Sequence, residues 1–200
     1  LGADLVVHSM TKGLGGHGDV IGGAVAGPKR LVDAARETIV KGFGGALSPL
    51  SAWLVARGLR TFALRQERAC ATAALLAAHL ARHPSVAVVH HPSLPTHPGH
   101  ALARRQMFAY GALLSFELAG DDALARGRRV LEALEIATHA VSLGDVRTLV
   151  VHPASTTHST MPEAARRAAG IGDGLLRMSC GLEAASDLAR DLDRALAAAS

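Results

Sequence analysis

Apolar residues along this chain fall into short continuous or alternating runs, separated by longer stretches in which they recur at helical spacing. The runs Asp4 to His8 and Val20 to Ala26 read as two short buried strands flanking a glycine-rich loop, and Pro28 to Val40 reads as a helix. Gly42, Gly44 and Gly45 mark a turn. Ser48-Pro49 then supplies a cap and a first-turn proline, and one long helix is predicted from there to about His83, because only Gly58 interrupts the pattern. Pro84 ends it. Beyond, strands over 86–90, 112–118, 148–152 and 175–180 alternate with helices over 99–108, 122–134, 162–168 and 185–198. The alternation predicts an α/β or α+β domain at the C-terminal end. The chain thus divides into residues 1–46, a connecting helix over 47–83 of the kind that joins two domains, and a small domain over 84–200.

Composition narrows the class. With 49% hydrophobic and 3% aromatic residues in a 200-residue chain, Ala, Leu and Val must fill a sizeable core. No apolar run reaches the roughly 18 residues that span a bilayer, and no basic segment followed by an apolar one opens the chain, so the expectation is a cytoplasmic protein with no membrane partner. The net charge of +4 could suggest nucleic acid, but Glu132 and Glu135 follow Arg126, Arg128 and Arg129 as on a solvated helix face. Aromatic residues that could stack on bases are scarce, and no nucleic-acid partner is expected. Cys70 and Cys180 lie in no C-x-x-C pair and read as two buried thiols.

Chemistry concentrates in His8-Ser9-Met10-Thr11-Lys12-Gly13-Leu14-Gly15-Gly16-His17-Gly18-Asp19. Lys12 is one of three lysines among twenty-one basic residues, and an imine needs an amine that can be deprotonated, which arginine does not offer. Ser9 and Thr11 place two hydroxyls beside that amine, a set that suits a phosphorylated aldehyde such as pyridoxal phosphate. Gly13 to Gly18 also matches G-x-G-x-x-G, but a dinucleotide site needs a helix directly after the glycines and Asp19 onward reads as a strand. His17 and Asp19, two apart on a strand-like segment, form either a structural hydrogen bond or a catalytic pair. His90, His91, His97 and His100 cluster among Pro92, Pro95 and Pro98, which reads as a solvated irregular loop rather than a metal site. Arg177 sits in an apolar strand and needs an anionic partner, either a substrate carboxylate or a core carboxylate.

The spaced segments Ser9 to Lys12 with Gly16 to Asp19, Leu47-Ser48-Pro49, Arg57 to Thr61, Ser142 to Asp145, His152 to His158 and Gly174 to Ser179 resemble, in this order, the Cys/Met-metabolism (trans-sulfuration) family of pyridoxal-phosphate enzymes. The resemblance spans essentially the whole chain but only the C-terminal half of the family. It implies an α/β fold of type I, like aspartate aminotransferase, with residues 1–46 ending the large cofactor domain and 84–200 forming the small one. It also implies that Lys12 carries pyridoxal 5'-phosphate as a Schiff base, that Ser9 and Thr11 bind the phosphate, and that Ser142 and Arg177 hold the carboxylate of an amino-acid substrate. No metal is implied, and the assembly expected is a homo-oligomer, a dimer of dimers.

The activity implied is a lyase or transferase acting at the γ-carbon of a sulfur amino acid or an activated homoserine. Val141 precedes Ser142 where family members that handle cystathionine commonly place a glutamate, which points towards the methionine γ-lyases and away from cystathionine γ-synthases. O-acetyl- and O-succinylhomoserine sulfhydrylases share this feature and stay open as alternatives, as does cystathionine γ-synthase. The family's aspartate for the pyridine nitrogen and its ring-stacking tyrosine have no counterpart in these residues, so an isolated fragment is expected to turn over little. A reading from another class is that the chain is a non-catalytic fragment serving as an oligomerisation partner, since strands cut from a larger sheet expose edges.

Overall fold

The computed structural model describes residues 2–199. Contacts divide the chain into two units, Leu1–Ala63 and Leu64–Ser200.

In the first unit, β1 (Val6–Ser9) pairs antiparallel with β2 (Gly23–Ala26), Val6 opposite Ala26 and Ser9 opposite Gly23. A wide helical turn over Met10–Leu14 carries the chain off the end of β1. Both strands were expected to be buried; instead Val6, Val7 and Val25 are exposed, Val7 by 75%. Two strands alone have no second layer over either face, and the small core of this unit gathers beside them, from Met10 and Val20 against Val55. Helix α1 (Lys29–Ala35) runs on into a second wide turn over Arg36–Gly42.

Helix α2 (Pro49–Leu59) begins as its sequence dictates. The Ser48 hydroxyl accepts from the Ser51 N–H at 3.1 Å, and Pro49 occupies the first turn, where no N–H is needed. Its Gly58 has a specific use. A Cβ there would lie 3.2 Å from the Leu14 carbonyl oxygen and closer still to that of Gly15, so the missing side chain lets α2 lie directly on the backbone of the lysine turn. The single long helix expected is two: after α2 the N–H groups of Arg60 and Thr61 bond back to Arg57 and Gly58 in a tight turn, and α3 (Phe62–Leu80) starts afresh.

The second unit is a five-stranded sheet in the order β3-β4-β7-β6-β5, from β3 (Val86–His90), β4 (Leu113–Leu118), β5 (Thr138–His139), β6 (Leu149–Val151) and β7 (Leu175–Ser179). All neighbours are antiparallel except the β5–β6 pair. Alternation decides which face is covered. Leu114, Phe116 and Leu118 of β4 and Leu176 and Met178 of β7 point into one core with Leu76 and Leu80 of α3, Val130 and Leu131 of α5 (Ala123–Ala133), and Leu188, Leu192 and Leu196 of α7 (Ala185–Ala198). The three helices therefore cover one face. Arg177, between Leu176 and Met178, lies on the other. Helices α4 (His100–Gln106) and α6 (Glu163–Ala168) complete the unit. Among the described residues no helix is long and apolar enough to cross a membrane.

Buried polar groups tie these elements together. Asp191 of α7, fully covered, accepts the N–H groups of Glu135, Ile136 and Ala137 at 2.9, 3.0 and 2.9 Å and pairs with Arg194 at 2.6 Å, so it fixes the exit from α5. His152 is wholly buried. Its Nε2 donates to the Asp173 carbonyl at 2.6 Å and its Nδ1 lies 2.8 Å from the Ser155 hydroxyl, so both nitrogens have partners. Burial holds its pKa below the usual histidine value. Arg166, paired with Asp173 and bonded to the Ile171 carbonyl at 3.0 Å, braces the entry to β7.

The His152 ring also rests against Gly127 of α5. A Cβ added there would fall 2.5–2.8 Å from three ring atoms of a side chain that cannot swing away without breaking two hydrogen bonds. Gly127→Ala is expected to destabilise the protein by about 2–3 kcal/mol, read as a lower denaturation midpoint in urea with unchanged slope.

Candidate active site

Ser9, Thr11 and Lys12 lie together where β1 ends and the wide turn begins. The turn is pinned at both ends. The Met10 N–H bonds to the Gly22 carbonyl at 2.9 Å, the Gly15 N–H to the Met10 carbonyl at 2.9 Å, and the Gly16 N–H to the Lys12 carbonyl at 2.8 Å. The Thr11 hydroxyl accepts from the Gly22 N–H at 3.0 Å and donates to the Gly22 carbonyl at 3.4 Å, so it is held at both ends with one lone pair left over. Lys12 itself departs from helical backbone, with φ −95° and ψ −139°, a kink inside the turn. Its side chain is half-buried, whereas Ser9 is exposed. An amine half out of water on a braced turn, with hydroxyls one and three residues away, is a donor set that fits a phosphorylated aldehyde.

His17 and Asp19 do not pair. The His17 Nδ1 donates to the Gly15 carbonyl at 2.8 Å, the structural alternative of the two weighed for it. Both residues line a cleft of about 230 Å³ together with Leu54, Arg57, Gly58 and Thr61. The glycines are followed by extended chain and then β2, not by a helix, so the dinucleotide geometry is absent here.

In the second unit the structure brings Ser142 and Arg177 together. The Arg177 Nη2 donates to the Ser142 carbonyl at 3.0 Å. On the sheet Arg177 stands between Ser115 of β4 and Val151 of β6, on the face away from the helices. Its Nε is buried and has no acceptor among the described residues. A buried donor left unmet costs about 1–3 kcal/mol, and the core-carboxylate alternative does not account for it, since among the described residues no carboxylate forms an ion pair with Arg177. Ser142 adds a second cost. Its φ is +93°, a left-handed backbone at a residue with a side chain, worth about 1–3 kcal/mol and kept only where the surroundings impose it.

Ser179 was not foreseen from sequence. Its hydroxyl accepts the Gly144 N–H at 3.0 Å, and it sits two residues beyond Arg177 on the same strand face. That i, i+2 relation to a half-buried arginine is the signal that could have marked it. Asp145, next in the loop, keeps its carboxyl below the usual range: burial raises it, but the Arg147 N–H and guanidinium lower it by more.

The histidine-rich segment is the irregular loop expected, with Pro95, Thr96 and Pro98 exposed, but one of its histidines is not solvated. His91 is fully buried between the Ser93 hydroxyl at 2.7 Å and the Gly111 carbonyl at 3.2 Å, and burial lowers its pKa. His100 bonds to the Pro92 carbonyl at 2.8 Å and stacks on Tyr110.

Residues 1–197 match the family described as Cys/Met metabolism PLP-dependent enzyme. The chain is 48% identical over 201 residues to the L-methionine gamma-lyase of Pseudomonas putida, covering 100% of this chain and 50% of that one. Among solved structures it is similar to cystathionine gamma synthase from Xanthomonas oryzae pv. oryzae, at TM-score 0.90 and 46% identity over 99% of this chain and 51% of that one. It is also similar to a protein from Micromonospora echinospora described as cystathione gamma lyase, at TM-score 0.91 and 43% identity over 98% and 51% of the two chains. The chain thus spans about half the length of the relatives it matches, and over that span its α/β fold is that of the type I pyridoxal-phosphate enzymes.

Proposed function

This chain belongs to the Cys/Met metabolism PLP-dependent enzymes, and from that membership we propose that it serves a lyase of sulfur amino acids that breaks the bond at the γ-carbon, with L-methionine as the preferred type of substrate. The observation that carries the proposal is the buried Arg177 Nε without an acceptor, beside a serine held in left-handed backbone. A guanidinium with one edge committed to the Ser142 carbonyl and a buried N–H left open is prepared for a planar anion, and an α-carboxylate is that anion.

Pyridoxal phosphate is the cofactor of the family, and bound here it would draw electron density away from the α- and β-carbons of an amino acid. Lys12 would hold it through Nζ, with Ser9 and Thr11 at its phosphate. The remaining work falls to this chain's own groups. Arg177 and Ser142 fix the substrate carboxylate and so the orientation of the Cα–H bond. The Lys12 Nζ takes the α-proton and moves protons between the α-, β- and γ-positions, which opens the way for the γ-thiolate to leave. With water the overall products are a thiol, a 2-oxo acid and ammonia.

Val141 supports the methionine-like reading. It is 56% exposed just before Ser142 and offers no acceptor to a second ammonium, which a cystathionine substrate would bring. A thioether ending in a methyl group asks for none. The protein is taken to act in the cytoplasm as a homo-oligomer, a dimer of dimers. The exposed Val7, Ile21 and Phe43 of the first unit favour a second reading, in which the chain acts chiefly as an assembly partner.

The test is product analysis on the cofactor-loaded protein. Release of 2-oxobutyrate from L-methionine, faster than from L-cystathionine and without need of added sulfide, is expected; thioether formation from an activated homoserine with no release would overturn it. Arg177→Ala is expected to raise KM for L-methionine about 10–100-fold, the loss of one or two charge-assisted hydrogen bonds, while Arg177→Lys recovers only part.

A further inference from the structure

Two bonds from β7 reach the loop from Ser142 to Asp145. One is from Arg177, whose Nη2 meets the Ser142 carbonyl at 3.0 Å. The other goes to Ser179, whose Oγ takes the Gly144 N–H at 3.0 Å. We propose that Ser179 is a positioning residue for substrate binding: its hydroxyl holds the 142–145 loop so that Ser142 stands against the Arg177 guanidinium in the one arrangement that leaves the Nε available to a carboxylate.

The argument begins with rigidity. The backbone of Ser179 is locked on both sides, opposite Leu113 of β4 and Leu149 of β6, and the residue is 3% exposed. Its Oγ is therefore a fixed point of the sheet. Arg177, two residues earlier on the same face, is fixed by the same two ladders, opposite Ser115 and Val151. The loop, by contrast, contains one residue that resists its own conformation, Ser142 at φ +93°, while Gly144 takes φ +78° at no steric cost. A strained turn keeps its shape only while something outside it supplies the restraint. The bond from Arg177 cannot be the whole restraint, because a guanidinium on a long side chain can follow the loop if the loop relaxes. The bond to Ser179 cannot follow. Without it Ser142 is free to leave left-handed backbone, and its carbonyl would draw the guanidinium along, turning the Nε away from the position it now occupies.

The inference rests on the reading of Arg177 as the carboxylate-binding group, and the variants separate the two. In the cofactor-loaded protein, Ser179→Ala is expected to raise KM for L-methionine about 10-fold with kcat changed less than about 3-fold, because the restraint acts on binding and leaves the amine untouched. Ser179→Thr, which keeps the hydroxyl, is expected to restore KM. A second readout does not depend on turnover: amide hydrogen exchange at Gly144 should quicken at least 10-fold in Ser179→Ala, with β7 amides unchanged. If Arg177→Ala leaves KM unaltered, the carboxylate reading itself fails. If Arg177→Ala raises KM and Ser179→Ala does not, the positioning role is overturned. A Ser179→Ala variant that loses protection throughout β7, or lowers kcat and leaves KM, also overturns it, since that is the mark of a merely structural hydroxyl.

Discussion

Replacing Lys12 with alanine is expected to abolish the visible absorbance that the parent protein acquires with pyridoxal phosphate, and to lower turnover about 10³-fold or more. Two separate functions end with the same atom: Nζ is the only amine of this segment able to form the imine, and it is also the base that moves protons on the substrate. The turn that carries it is expected to survive. Its backbone is held by the Met10–Gly22, Gly15–Met10 and Gly16–Lys12 bonds and by the packing of Gly58 on Gly15, none of which uses the lysine side chain. Circular dichroism of the variant should therefore match the parent. An unchanged absorbance in Lys12→Ala would remove Lys12 from the cofactor altogether.

Asp191→Asn should produce the largest loss of stability of any isosteric change in the second unit, about 3–5 kcal/mol. The carboxylate accepts three consecutive backbone N–H groups and pairs with Arg194. An amide turns one of its two acceptor oxygens into a donor facing an N–H and removes the charge, so buried donors lose their partner and Arg194 keeps only Glu135 as a counter-ion. The pH dependence follows from the same contacts. Burial pushes the carboxyl up, but the backbone N–H groups of Ala137, Glu135 and Ile136 and the Arg194 guanidinium outweigh it, and the net shift is downward. A carboxyl whose folded pKa lies below its unfolded value, about 3.9, contributes fully above that value and loses its contribution as pH falls through the folded pKa. The parent should lose stability on acidification below about pH 4 along a steeper limb than Asp191→Asn, measured as urea midpoints across that range.

Much of the second unit is legible from residue order because its strands alternate cleanly. Leu114, Phe116 and Leu118 share one face of β4, and the same period in β7 sends Leu176 and Met178 inward and Arg177 outward. The Ser48-Pro49 start of α2 is equally readable, since a hydroxyl and a missing N–H act within one turn. The break at Arg60–Thr61 is not. The one hint is Gly58, two residues earlier, which lies against the Gly15 carbonyl of the lysine turn and whose own carbonyl takes the Thr61 N–H. The exposure of β1 and β2 also escapes sequence, because apolar content says that a strand can be buried but not what lies over it. At the candidate site, Lys12, Ser9 and Thr11 stand out by type and spacing. Ser142 and Arg177, thirty-five residues apart, meet only because the loop after β5 folds back over β7, and nothing local announces that Ser142 adopts positive φ.

The strand order has a bearing on synthesis. β4 is bordered by β3, made just before it, and by β7, made some tens of residues later. At about 5–20 residues per second, a ribosome leaves β4 with one bare edge for several seconds, and with Leu114, Phe116 and Leu118 lacking the α7 helix that will cover them. The central ladder closes only once Leu175–Ser179 has emerged. The nascent chain therefore spends its longest interval in the state most open to pairing with another copy of itself, and a chaperone that shields apolar strands would find its best target there rather than in the finished sheet.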